Sequence, residues 1–151
     1  MKTLFKLLAG LCSIFLVTGC FGEEYDFSPP TVTVFTPNGI NETEILAEAN
    51  IKWEYDEKYN KETKDIQSLA KKQNALYFHP GELAAINFED GDYDPDGISV
   101  SIWQGEKKID VAYQKSSQDF HLPQEKGEYT LVIDIDSNSG NAQYVGNIVI
   151  Q

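Results

Sequence analysis

Short segments in which hydrophobic and polar residues alternate recur along most of the chain. Ala49, Ile51 and Trp53 are separated by single polar residues, and this period of two is typical of a β-strand with one buried face. The same alternation, or a β-branched run bounded by turn residues, marks six other segments. The predicted strands cover residues 31–36, 49–55, 76–78, 84–88, 98–103, 129–135 and 144–150. These patterns predict a mainly β protein.

The last two predicted strands form the clearest pair. Residues 129–135 and 144–150 each carry a hydrophobic residue or glycine at every second position, and the turn-forming residues 137–140 (SNSG) stand between them. Two alternating segments joined by such a turn are typical of an antiparallel hairpin. We therefore predict a β-hairpin with a four-residue loop at 137–140.

A different period appears between the second and third predicted strands. Within residues 61–73, Ile66, Leu69, Ala70 and Gln73 stand at i, i+3, i+4 and i+7, which is the spacing of one face of an α-helix. Glu62 and Asp65 come early in this segment and Lys71 and Lys72 come late, an order that complements the helix dipole. The segment therefore predicts one short amphipathic helix over about 61–73.

Seven short strands with one inserted helix predict a β-sandwich. The segments Pro80-Gly81-Glu82, 98–103 (ISVSIW), Leu122-Pro123, 126–131 (KGEYTL) and 142–144 (AQY) resemble immunoglobulin-like modules in surface lipoproteins of Gram-positive, Bacillus-like bacteria. The resemblance implies an immunoglobulin-like antiparallel β-sandwich in which the hydroxyl of Tyr129 ties a turn to the backbone. The paired cysteines of antibody domains are absent from the sequence, and such modules imply no activity of their own.

The N-terminal segment has the pattern of a targeting signal. Lys2 and Lys6 precede an uncharged run of 11 residues, 7–17. This run is shorter than the about 20 residues of a bilayer-spanning helix and is typical of a secretory signal peptide. The run ends in Val17-Thr18-Gly19-Cys20, which resembles the lipobox of bacterial lipoproteins. The resemblance implies that Cys20 becomes the first residue of the mature chain, that its sulfur carries a diacylglyceryl group, and that its α-amino group is open to acylation. A plain secretory signal or an uncleaved anchor is the alternative.

These features predict three parts of the chain: a lipoprotein signal peptide over 1–19, a lipidated tether over 20–30, and a single domain over 31–151. Because Cys12 leaves with the signal, Cys20 is then the single cysteine, and no internal disulfide can form. The expected location is the extracytoplasmic face of the cell membrane, with membrane lipid bound through Cys20. In a host with two membranes, the outer membrane is expected instead.

The charge of the chain excludes one class of partner. All 12 basic residues are lysines, and they stand against 24 acidic residues, a net charge of −12. Removal of Lys2 and Lys6 with the signal leaves 10 lysines against the same 24 acids, or −14. Nucleic acid is therefore not an expected partner, because phosphate binding needs clustered cations. Anionic lipid head groups also repel such a domain, so it is expected to stand off the membrane on its tether.

An acidic loop over residues 89–97 is the candidate metal site. Asp92, Asp94 and Asp96, followed by Gly97, match the start of a calcium-binding loop. The twelfth position of that loop, counted from Asp92, is Trp103 where a bidentate glutamate is required. Two interpretations stay open: a solvated acidic loop, which this departure favours, and a Ca²⁺ site built on the three aspartates.

The sequence contains no motif of a nucleophilic, metal-dependent or phosphate-transferring enzyme. His79 and His121 stand in turn and strand patterns, and Trp53 and Trp103 stand in strand patterns, so all four are interpreted as packing or surface residues. We predict a non-enzymatic, membrane-anchored module that binds an envelope protein, a peptide or a wall polymer, with no catalytic residue and no bound cofactor. The alternative is an envelope enzyme or inhibitor that uses the helix and the acidic loop, with Ca²⁺ bound there.

Overall fold

The computed structural model describes residues 28–37, 43–54, 58–89 and 95–151. The predicted signal peptide, Cys20 and the first part of the predicted tether lie outside these residues. In chain order, the elements are β1 (Thr31–Phe35), β2 (Thr43–Ile45), β3 (Ala47–Glu54), β4 (Lys58–Lys61), helix α1 (Ile66–Ala70), β5 (Ala75–Phe78), β6 (Leu83–Glu89), β7 (Gly97–Gln104), β8 (Lys107–Val111), β9 (Tyr113–Gln114), β10 (Asp119–His121), β11 (Gly127–Ser137) and β12 (Gly140–Ile150).

The strands form two sheets. The smaller sheet has the order β2-β1-β6-β10-β9, and the larger has the order β4-β3-β12-β11-β7-β8. All of these pairs are antiparallel. In addition, β5 pairs in parallel with the last residues of β12, beyond the end of β3. The prediction of a mainly β, antiparallel, two-layer fold with one short helix is confirmed.

The hydrophobic core lies between the two sheets. It is formed by the alternate positions that the sequence pattern marks as apolar, and each fully buried large aliphatic side chain stabilises the fold by about 1.5–3 kcal/mol. The smaller sheet contributes Val32, Val34, Ile86 and Phe120, and the larger sheet contributes Val100, Ile102, Leu131, Ile133, Ile135, Tyr144 and Ile148. Trp53 is also buried in this core, as expected.

The chain changes from the smaller to the larger sheet at Leu46. The backbone N–H of Leu46 donates to the carbonyl of Val32 at 2.9 Å, which holds this residue beside β1, and the next residue begins β3. The buried side chain of Leu46 packs against Gly146 of β12, where a Cβ would collide with it. A glycine on the core face of β12 therefore makes room for the crossing.

The helix is shorter than predicted. It covers Ile66–Ala70 instead of 61–73, because Asp65 caps it and residues 58–61 pair with β3 as an edge strand. The carboxylate of Asp65 accepts from the backbone N–H of Ser68 at 2.9 Å, and the hydrogen bonds to Ser68 lower the pKa of this carboxyl. The predicted apolar face is confirmed, since Ala70 is buried and Ile66 and Leu69 are partly buried.

The C-terminal hairpin is confirmed, but its loop has two residues instead of four. Ser137 and Gly140 are the last pair of the β11–β12 ladder, so only residues 138 and 139 form the turn. Gly140 has φ 136°, and a Cβ there would collide with the carbonyl of Lys52 on β3. The ladder thus extends into the predicted loop, and a glycine at position 140 permits both this backbone conformation and the close approach of β3.

Tyr129 makes the bond that the family resemblance implies. Its ring is 3% exposed, and its hydroxyl donates to the carbonyl of Glu125 at 2.9 Å. Burial raises the pKa of this hydroxyl, and the nearby Glu125 carboxylate raises it further. The turn that precedes β11 is therefore attached to the core through one buried hydroxyl.

Candidate binding groove

The outer face of the larger sheet, which points away from the core, is divided into two halves. Helix α1 covers one half through a small apolar cluster of Ala49, Ala70, Val132 and Val145. Trp103 packs against the same cluster, and its indole N–H donates to the Ser101 hydroxyl at 3.1 Å. The helix covers only this cluster, so the other half of the outer face is open to solvent.

The open half carries two rows of side chains that run across four strands. The first row is Asn50, Gln143, Asp134 and Ser99, and the second row is Lys52, Asn141, Asp136 and Gly97, one residue each from β3, β12, β11 and β7. Residues in one row are direct cross-strand neighbours, and the two rows are two positions apart on each strand. Every side chain of both rows therefore points to the same, solvent-facing side.

Hydrogen bonds join the side chains within each row. In the first row, the Asn50 amide donates to Gln143 at 2.6 Å, and the Gln143 amide donates to Asp134 at 2.7 Å. In the second row, the Asn141 amide donates to Asp136 at 2.8 Å. Each donor has one further N–H, and each acceptor has further lone pairs. The two rows, which form the floor of this open half, are therefore held in place, and their remaining N–H groups and lone pairs can bond a ligand.

One wall of this half is formed by the segment that leads from β4 to the helix. The backbone N–H of Thr63 donates to the side-chain carbonyl of Asn50 at 2.8 Å, and the Thr63 hydroxyl donates to the carbonyl of Ala49 at 2.7 Å. These bonds hold Asn60, Lys61 and Glu62 beside the floor. We call the two rows together with these three residues the polar groove.

The polar groove is large and carries a small net negative charge. Its volume is about 1060 Å³, just above the about 300–1,000 Å³ of ordinary small-molecule sites. Two lysines and three carboxylates line it. Lys61 pairs with Glu48 at 3.5 Å, whereas within the described residues Asp134 and Asp136 accept hydrogen bonds from amides and form no ion pair.

Next to the groove, Tyr59 on edge strand β4 and Glu48 on β3 form a separate polar contact. The hydroxyl of Tyr59 donates to the Glu48 carboxylate at 2.6 Å. This bond raises the pKa of the phenol, because ionisation would lose the donor and place a second negative charge beside Glu48. The contact therefore adds a side-chain bond to the backbone pairing between β4 and β3.

The predicted calcium ligands are only partly within the structure. Asp92 and Asp94 lie outside the described residues, and Asp96 is exposed at the start of β7. Trp103, at the diagnostic twelfth position, lies on the helix-covered half of the outer face. Within the described ranges, no group of three or more metal-ligating side chains comes together.

The two histidines lie at the surface, as expected. The Nδ1 of His79 is 3.4 Å from the carbonyl of Gln151, and the Nδ1 of His121 is 3.2 Å from the carbonyl of Gly81. Both contacts are to the backbone at the end of the sandwich that holds the Pro80–Gly81 turn. They stabilise this end of the fold and lie away from the polar groove.

Sequence reasoning missed the polar groove. Its residues appear in the sequence only as the polar partners of the alternating strands, for example Asp134 between Ile133 and Ile135. Asn50 and Gln143 are 93 residues apart, and only the register between β3 and β12 makes them neighbours. A signal is present in retrospect: these polar positions are amides and carboxylates on both strands of the strongest hairpin.

Among the described residues, no helix has the length and apolar character needed to cross a membrane. Comparison of the chain with models of protein families, with curated proteins and with solved structures finds no match.

Proposed function

We propose that this protein is a lipid-anchored, extracytoplasmic binding module that holds its ligand in the polar groove and catalyses no reaction. The observation that carries this proposal is the hydrogen-bonded floor of the groove. When side chains are already held in place, less conformational entropy is lost on binding than when the ligand must order them, so the ligand binds more tightly. The groove thus has the properties of a binding surface.

The finer fold assignment is part of the same proposal. We infer an immunoglobulin-like sandwich, and three observations support it: two face-to-face sheets, a chain that changes sheets at Leu46, and the bond from Tyr129 to Glu125 across four residues. Domains of this architecture serve many functions, so the groove and not the fold carries the functional argument.

The position of the groove agrees with a lipid anchor on Cys20. The carbonyl of Pro30, just before β1, accepts a hydrogen bond from the buried hydroxyl of Tyr144 at 2.6 Å. Thr31 pairs with Glu89 at the end of β6, and the chain then returns to the larger sheet at Gly97, in the second row of the groove. The groove therefore lies toward the end of the sandwich at which β1 begins.

The anchor is tested by Cys20→Ala in the native host. We expect the wild-type protein in the membrane fraction with the mass of a diacylated chain that begins at Cys20. We expect the variant to retain its signal or to leave the membrane fraction. A variant that stays in the membrane fraction with an unchanged mass would show that the anchor assignment is wrong.

The groove is tested by replacing Ser99 with a photo-crosslinking amino acid in intact cells. Ser99 is exposed in the first row, and Glu128 is an equally suitable control because it is exposed on the same face of β11 outside the groove. We expect a defined adduct at Ser99 that is absent at Glu128 and that is lost when Gln143 is also replaced by Ala. Equal labelling at both positions, or none at either, would contradict a groove-based binding module.

A further inference from the structure

The polar groove repeats its functional groups at the spacing of the strands. Asn50, Gln143, Asp134 and Ser99 come from four adjacent strands, and adjacent strands are about 4.8 Å apart. The first row is therefore about 14 Å long, with one polar side chain at each step. That step is comparable to the length of one sugar unit in an extended glycan. The periodic floor fits a polymer with a short polar repeat.

The floor offers little to an extended peptide. Peptides add to sheets through free backbone edges or place side chains into apolar pockets. Below the groove, β11 is bonded to β12 and β7, and this part of β12 is bonded to β11 and β3, so neither has a free edge. Ile51, Ile135 and Ala142 line the groove only from below, because their side chains are at most 2% exposed and face the core. The two central strands of the floor thus offer a peptide neither a free backbone edge nor an exposed apolar side chain.

The charges of the groove disfavour an acidic polymer. Asp134 and Asp136 lie at the centre of the two rows, and Glu62 lies on the wall. A chain of phosphates or carboxylates placed on this floor would meet three acids and two lysines, Lys52 and Lys61, and Lys61 is already paired with Glu48. Hydroxyl and acetamido groups suit the floor better, since they donate to carboxylates and both donate to and accept from side-chain amides.

We propose that the polar groove binds a linear, non-acidic glycan that lies across the strands, with its hydroxyl and acetamido groups bonded to Asn50, Gln143, Asp134 and Asp136. This inference rests on the proposed function and names the class of its ligand. The carboxylates accept hydrogen bonds from sugar hydroxyls, and the side-chain amides both donate to and accept from hydroxyl and acetamido groups. The glycan extends along a row, so that successive units meet successive strands.

The test is calorimetric titration of the full chain in detergent micelles with the linear tetramer of N-acetylglucosamine. Polyglutamate and an uncharged hexapeptide serve as the acidic and peptide probes. We expect the tetramer to bind and the other two probes not to bind. Affinity is expected to rise from the monomer to the oligomer that spans the about 14 Å row and to rise little beyond it. Binding is also expected to change little with salt, because the ligand is uncharged.

The variants Gln143→Ala and Asp136→Ala test the site. Each removes a group that bonds the ligand, so each is expected to weaken binding about tenfold. Glu128→Ala is the matched control on the same strand and face, and we expect it to bind as the wild type does. Thermal unfolding of each variant establishes that the fold is retained. If an alanine variant does not fold, it is replaced by Gln143→Glu or Asp136→Asn, which keep the side-chain length.

Four outcomes would overturn the glycan assignment: no binding of the tetramer by the folded protein, binding of polyglutamate or the hexapeptide in its place, equal affinity for monomer and tetramer, or equal loss in the control variant. The proposed function fails separately. If Ser99 crosslinks a peptide or protein while glycans do not bind, the binding module stands and only the ligand class is wrong. If Ser99 labels nothing, the binding module is wrong.

Discussion

Replacement of Tyr144 by Phe tests how the segment before β1 is attached to the domain. Tyr144 is 1% exposed, and its hydroxyl donates to the carbonyl of the buried Pro30 at 2.6 Å. In Tyr144→Phe the ring remains, but the carbonyl loses this donor in a site that water does not reach. The loss of a hydrogen bond and the buried acceptor left behind together reduce the free energy of unfolding by about 2 kcal/mol.

Tyr113→Phe is the matched control. The hydroxyl of Tyr113 is also buried, but within the described part of the chain it has no hydrogen-bond partner. Burial raises the pKa of this phenol, and the Asp119 carboxylate raises it further, as expected for a hydroxyl removed from water. Removing an unsatisfied polar group leaves stability unchanged or raises it slightly. The two variants change the same atom in opposite hydrogen-bonding environments.

The assay is urea and thermal unfolding of the full chain in detergent, followed by tryptophan fluorescence. For a domain of this size, 1 kcal/mol corresponds to about 4 °C in Tm, so Tyr144→Phe is expected to lower Tm by about 8 °C. Tyr113→Phe is expected to stay within about 2 °C of the wild type. If both variants lose the same stability, or if Tyr144→Phe is neutral, the Pro30 bond does not hold the root of the tether.

Three further results are expected. Gly140→Ala is expected to lower the free energy of unfolding by at least about 2 kcal/mol in urea titrations, because φ is 136° and the added methyl meets the Lys52 carbonyl; a change below 0.5 kcal/mol would show that β3 lies further away. Because the pKa of Tyr129 is raised in the folded state, its contribution to the free energy of unfolding is expected to be fully present below the unfolded pKa near 10 and to be lost as pH rises through the folded pKa. Unfolding followed from pH 8 to 12 tests this, and a decline in stability that is no smaller in Tyr129→Phe would contradict it. Millimolar Ca²⁺ is expected to leave Tm unchanged, because Trp103 replaces the bidentate ligand; a rise in Tm that Asp96→Asn abolishes would show a calcium site.

The main strands could be predicted because each has one buried face. In β11, Leu131, Ile133 and Ile135 face the core while their neighbours face outward. The alternation of apolar and polar residues in the sequence therefore indicates which positions are buried. The predicted strands correspond to β1, β3, β5, β6, β7, β11 and β12, and the two-sheet arrangement follows from pairing them. Half-buried strands are therefore readable from the chain alone.

Four short strands, β2, β4, β8 and β9, are absent from the predicted set, whereas β10 coincides with the strand pattern around His121. All four residues of β4 (KYNK) are exposed, so this strand has no apolar face and hence no alternation. It forms because its backbone pairs with β3. The same pairing shortened the helix, since residues 58–61 were available to β3 and Asp65 supplied a cap further along the chain. Long-range backbone pairing overrode the local pattern in both cases.

The candidate site could not be predicted for a related reason. Solvent-facing positions of a strand tolerate most polar residues, so Asn50 or Gln143 alone carries no signal. The rows form only because β3, β12, β11 and β7 are in one particular register, and a slip of one residue would place these side chains in the core. The acidic loop, by contrast, is conspicuous in the sequence because its charges are close together. Trp103, at the position where a calcium loop requires a glutamate, packs against the helix-covered cluster instead.

The central claim is that the polar groove is the ligand surface. The most direct measurement is the side-chain amide spectrum of ¹⁵N-labelled protein in detergent micelles during titration with the N-acetylglucosamine tetramer. We predict that the amide signals of Asn50, Asn141 and Gln143 shift together and saturate, while those of Gln124 and Gln151 at the opposite end of the sandwich stay unchanged. Shifts confined to the opposite end, or no shift at saturating glycan with the fold intact, would contradict the account.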